Sequence, residues 1–154
     1  MKKELINILY VDDEVHNLNA FKASFRRTFN VFTAESAKDA MAILEKQPMH
    51  VVISDQRMPV TTGVEFLQSI IPIFPDPIRI LLTGYADISA VVDAINKGQV
   101  YLYLTKPWQE DDLRQNIERA FEIFSLRKEN KALTDQLLVV NEQLEFMFRQ
   151  KLIS

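Results

Sequence analysis

The chain has no cysteine, so disulfides and thiolate metal sites are excluded, and its covalent frame suits a reducing compartment. Long apolar runs are missing too. The first, Leu5 to Val11, has seven residues including Asn7 and follows only Met1-Lys2-Lys3-Glu4, too little for a signal peptide or a membrane span. Strong charge of either sign is absent: 18 basic against 21 acidic residues leave a net charge of −3, which argues against direct nucleic-acid binding or an anionic membrane as partner. From Trp108 to Ser154 there is neither glycine nor proline, so nothing in the last third of the chain breaks a helix. What remains is a 154-residue chain, 47% apolar, enough for one domain with a core, and the cytoplasm is its expected location.

Strand-like and helix-like stretches alternate along it. Leu5–Val11 reads as a buried strand ending in Asp12-Asp13-Glu14, followed by Leu18, Phe21 and Phe25 at helical spacing. Residues 30–34 form a short β-prone stretch. Ser36, with Asp39 three residues on, caps a helix presenting Ala40, Met41 and Leu44, which Pro48 stops. Val51 to Asp55 is a third strand. Gly63 opens a helix with Val64, Leu67, Ile70 and Ile71 inward, and Pro72, Pro75 and Pro77 lead to the strand 78–83. Ile88, Val91, Val92 and Ile95 mark one face of a helix with Gly98 as its C-cap, and 100–105 is the fifth strand, followed by Lys106-Pro107. Five such units predict an α/β fold: a doubly wound five-stranded parallel sheet, flavodoxin-like, of order 2-1-3-4-5.

In that order the ends of strands one and three meet at one crevice, bringing Asp12, Asp13 and Asp55 together. Three carboxylates there repel one another unless a cation sits among them, and a hard divalent ion, Mg²⁺, suits oxygen ligands. Strands four and five add the hydroxyl of Thr83 and the ammonium of Lys106. A carboxylate nucleophile, a metal, a hydroxyl and a cation suit in-line phosphoryl transfer to Asp55. His16 and His50 read as structural, Trp108 as packing over the start of the last helix, and Met41 and Met58 as core and turn.

Asp12-Asp13, Asp55 with Met58-Pro59 and Gly63, Thr83-Gly84 and Lys106-Pro107 together resemble the signature of the response regulator receiver domain of two-component signalling, over residues 4–124. The resemblance implies that Asp55 is the phosphoacceptor, charged from a sensor histidine kinase or phosphotransfer protein. It implies Mg²⁺ on Asp12, Asp13, Asp55 and the backbone carbonyl of Arg57. Thr83 and Lys106 would bind phosphoryl oxygens, Thr83 and Tyr103 would act as the switch, and the Lys106-Pro107 bond would be cis. Arg57 and Tyr85 would flank the phosphoryl group on the side from which water attacks. The chain would catalyse only its own phosphorylation and dephosphorylation. The alternative is a Mg²⁺-dependent phosphatase of small phosphomonoesters using an aspartyl phosphate, which needs an aspartate where Arg57 stands.

Residues 1–124 are thus expected to form the receiver and 125–154 a coiled-coil extension of its last helix. Leu113, Ile117, Phe121 and Phe124 face the domain. A heptad then places Ile123, Asn130, Leu137 and Leu144 at a and Leu126, Leu133, Val140 and Met147 at d, which predicts a parallel homodimer through residues 123–151.

Overall fold

The computed structural model describes residues 5–153; Met1 to Glu4 and Ser154 lie outside them. The element order is β1 (Asn7–Val11), α1 (Val15–Phe25), β2 (Asn30–Ala34), α2 (Ala37–Lys46), β3 (Val51–Asp55), α3 (Gly63–Ile70), β4 (Ile78–Thr83), a 3-10 turn (Tyr85–Asp87), α4 (Ile88–Asn96), β5 (Leu102–Thr105) and α5 (Glu110–Ile153). The five strands form one parallel sheet of order β2-β1-β3-β4-β5, as the alternation of elements predicts.

Strands β1, β3 and β4 are buried at nearly every position because helices cover both faces of the sheet. Successive side chains alternate between two cores. Ile8, Tyr10, Ile53 and Ile80 meet Phe21 and Phe25 of α1 and Leu113 and Ile117 of α5. Leu9, Val11, Val52 and Leu81 meet Leu44 of α2, Phe66 and Leu67 of α3 and Val91 of α4.

The helix starts follow local chemistry. Ser36 Oγ accepts from Asp39 N at 3.1 Å, and Thr62 Oγ1 accepts from Glu65 N at 3.2 Å, so each satisfies a donor that the first turn leaves open. Gly98 follows α4 with φ +72°, the left-handed cap expected of it. At Gly63 the constraint is space: a Cβ would stand 2.3 Å from the Asp55 carbonyl oxygen, so only glycine lets α3 start against the end of β3.

Two helix faces differ from expectation. In α3 Phe66 is buried with Leu67 and Ile70, while Val64 and Ile71 are half-buried. In α4 Val91 and Ala94 are buried, Ile88 and Ile95 are half-buried and Val92 is exposed. Trp108 lies against Phe21 and Phe25 of α1, with ring centroids 6.1 and 5.7 Å away. Of the two histidines, His16 is exposed, and His50 accepts from Asn7 N through Nδ1 at 2.9 Å, with its ring edge-on to Phe121 and Phe124.

α5 runs unbroken for 44 residues, roughly 65 Å. Leu113, Ile117 and Ala120 are buried on the sheet, and Phe121 and Phe124 are half-buried. Near the edge of the domain the Lys128 ammonium lies 3.4 Å from Asp76 and over the Phe124 ring. Beyond it every described side chain is exposed, including the heptad residues Leu133, Leu137, Val140, Leu144 and Met147. No helix among the described residues is long and apolar enough to cross a membrane.

Candidate functional site at the strand ends

The backbone of the rim is held by hydrogen bonds that continue the sheet past its strands. Asp12 N donates to Ala34 O, Gln56 N to Leu82 O and Lys106 N to Thr83 O, at 2.9–3.1 Å. Register places Asp55 beside Leu82, and Thr83 beside Thr105. Asp12, Asp13, Asp55, Thr83 and Lys106 therefore converge from four different strand ends. Asp12, Asp13 and Asp55 can each bring one carboxylate oxygen to within 4.8 Å of the others. Lys106 Nζ lies 2.8 Å from Asp55 Oδ1 and 3.8 Å from Asp12 Oδ2. Asp12 and Asp55 share this ammonium and Asp13 adds a third carboxylate beside them, so the cluster carries excess negative charge.

Burial raises the pKa of Asp55 above its ordinary value, and the charge of Asp12 adds to this, while the Lys106 ammonium pulls it back down. The donor set is all oxygen and anionic, which fits a hard divalent cation, Mg²⁺, held by Asp12, Asp13 and Asp55. Asp13 and Asp55, with Glu14, Arg57, Tyr85, Asp87 and Lys106, line an open cleft of about 460 Å³, room for a phosphoryl group and its donor.

The remaining expected residues fall around it. Thr83 is fully buried, and its hydroxyl donates to the Gly84 carbonyl at 3.1 Å. Tyr103 is half-buried against the core on the α3 and α4 side. The Lys106-Pro107 bond is cis. Tyr85 is exposed, and the Arg57 guanidinium is turned to Asp87, with Nε 2.8 Å from Oδ2.

Sequence reasoning did not foresee three residues around Asp12. Tyr10 Oη donates to Asp12 Oδ2 at 2.8 Å, Asn17 Nδ2 donates to the same oxygen at 3.1 Å, and Glu14 N donates to Oδ1 at 2.9 Å. The signal for Tyr10 was available: in a strand, residues two apart share a face, so a tyrosine two before Asp12 can reach it. Burial, then the charge of Asp12, pushes the Tyr10 phenol far above its ordinary value, so it stays a donor.

Fold and rim together have the form of a receiver-type α/β domain. The sequence profile of the response regulator receiver domain matches residues 8–118, and the chain belongs to that family. It is 37% identical over 124 residues, 80% of its length, to the hydrogenase transcriptional regulatory protein HoxA of Bradyrhizobium diazoefficiens. It is 34% identical over all 154 residues to HoxA of Cupriavidus necator. It spans only 26% and 32% of those two proteins. Among solved structures, a response regulator receiver domain protein from Clostridium thermocellum superposes with a TM-score of 0.75 at 32% identity, covering 79% of this chain and 98% of that one. NtrX from Brucella abortus, solved with ADP, superposes with a TM-score of 0.78 at 27% identity, covering 84% of this chain and 30% of that one.

Proposed function

We propose that this receiver is a phosphorylation-controlled switch of a two-component phosphorelay, working in the cytoplasm, with Asp55 as phosphoacceptor. The observation that carries the reading is Asp55 at the end of β3, 2.8 Å from Lys106 and grouped with Asp12 and Asp13. An Asp55 carboxylate oxygen attacks the phosphorus of a phosphohistidine on a sensor histidine kinase or phosphotransfer protein. The new P–O bond forms as the P–N bond breaks, and the imidazole leaves with the electron pair. Lys106 and Thr83 take the phosphoryl oxygens. Asp12, Asp13, Asp55 and the Arg57 carbonyl would hold Mg²⁺, which when bound would neutralise charge on the transferring group. The residue two after the nucleophile is Arg57, not an acid, which supports a self-modifying domain over a turnover phosphatase.

Transfer adds about −1.5 to −2 charges at the rim. Thr83 then exchanges its bond to Gly84 for the phosphoryl group, and Tyr103 turns into the space vacated. The face made by α4, β5 and α5 changes shape, a population shift no larger than the differential binding of the phosphoryl group. The exposed heptad of α5 supports a parallel homodimer through residues 123–151, with Asn130 fixing its register and two-stranded state. Through it the switch controls a partner or an output domain. Incubation with Mg²⁺ and acetyl phosphate is expected to modify Asp55 alone, as read by intact-protein mass spectrometry. Asp55→Asn abolishes the added mass while circular dichroism stays unchanged. Persistent labelling of that variant would sink the assignment.

A further inference from the structure

Tyr10 has a job that packing alone does not explain. Its ring is fully buried and stacks on Phe21 with centroids 4.4 Å apart, work that a phenylalanine would do as well. The hydroxyl instead brings a polar atom into a core whose other β1 member, Ile8, is aliphatic. An unmet buried hydroxyl costs about 1–3 kcal/mol, so its bond to Asp12 Oδ2 is needed by both partners. Asp12 is itself fully buried, yet Asp13 beside it is exposed. The two adjacent acids thus differ in kind: one is locked by Tyr10, Asn17 and the Glu14 amide, and the other stands in solvent.

From this geometry we propose that Tyr10 is a positioning residue for the cation site, its hydroxyl presetting the Asp12 carboxylate so that Mg²⁺ binds a ligand already ordered. The inference rests on the receiver reading above. A ligand held in one rotamer before binding loses no side-chain freedom on binding, and partners behind metal ligands commonly alter affinity by about 10–100-fold.

Isothermal titration calorimetry with Mg²⁺ alone tests it, next to phosphorylation by acetyl phosphate across a Mg²⁺ series. Tyr10→Phe is expected to weaken Mg²⁺ binding about tenfold. The Mg²⁺ needed for half-maximal phosphorylation rises equally, and the rate at saturating Mg²⁺ stays within about threefold, since Tyr10 touches neither the phosphoryl group nor Asp55. Phe21→Leu keeps the hydroxyl and removes the stack. It is expected to lower thermal stability and leave Mg²⁺ affinity within about twofold. Asn17→Ala, on the half-buried side of α1, removes the second donor to Oδ2 without touching the core, and gives a smaller loss in the same direction. Should Tyr10→Phe bind Mg²⁺ like the wild type, or should Phe21→Leu lose as much affinity as Tyr10→Phe, the positioning role is overturned. A wild-type chain without Mg²⁺ binding fails the receiver reading instead, a separate and recognisable result.

Discussion

Two regions of this molecule are left incomplete by its own fold, in opposite chemical currencies. At the rim, charge is unbalanced: Asp12 and Asp55 share Lys106, and Asp13 stands beside them. Along α5 beyond Lys128, apolar surface is uncovered: Leu133 is 50% exposed, Leu144 58% and Met147 63%. On the function proposed above, the first deficit would be met by a small cation with an anionic group between it and the lysine, and the second by another helix. An incomplete region thus names its missing partner by the kind of free energy it leaves unspent.

Removing the tail should sharpen the contrast most. Cut after Phe124, the chain is expected to be monomeric by sedimentation equilibrium and still modified on Asp55, while the full chain dimerises. A full chain that stays monomeric at high micromolar concentration would break the comparison on the tail side. The next test uses one residue type on one helix. Leu113 is fully buried and Leu133 half-exposed, so Leu113→Ala should cost about 2–5 kcal/mol of unfolding free energy at any protein concentration. Leu133→Ala should leave the dilute chain's unfolding unchanged and weaken only the dimer, read as a shift in its concentration dependence.

At the rim the effect is smaller and depends on pH. The raised pKa of Asp55 means that the folded state favours its protonated form. That contribution is fully present below the ordinary carboxylate value and is lost as pH rises through the folded one. At neutral pH, in chelator, Asp55→Asn should therefore melt a few degrees above wild type, and the gap should close under acid conditions. Added Mg²⁺ should raise the wild type and reverse or erase the difference. The smallest expected effect is kinetic. Arg57 and Tyr85 border the cleft on the side open to water, and Arg57→Ala also removes the ion pair to Asp87. Its phosphoryl half-life should shorten a few-fold relative to wild type; a longer one would mean that Arg57 orients the attacking water instead of excluding it.

Much of this was legible in the residues. β3 and β4 fall where breakers and apolar runs put them, because both are buried between layers of helices, and the shorter, more polar β2 falls at the edge. Burial in α4 was read less well: Val92 looked inward by its helical spacing with Ile88, Val91 and Ile95, but Ala94 is buried and Val92 exposed, and a pattern of large residues does not weigh small ones. β5 was drawn two residues too long, since Val100 is buried before the ladder begins. At the site, the strand-end residues Asp12, Asp55, Thr83 and Lys106 announced themselves, because parallel topology brings their elements to one edge. The pairing of Arg57 with Asp87 did not, since two side chains thirty positions apart carry no local pattern.

α5 passes from domain to solvent near Lys128, so a stiff helix tilting about that point would act as a lever. The arm inside the domain, from Leu113 to Lys128, is about 22 Å long, and the free arm to Ile153 about 37 Å. With no glycine or proline to absorb a bend, a sideways shift of about 1 Å at Leu113 reappears as nearly 2 Å at the far tip. Motions small enough to leave the core packed would be magnified where the helix meets whatever it drives.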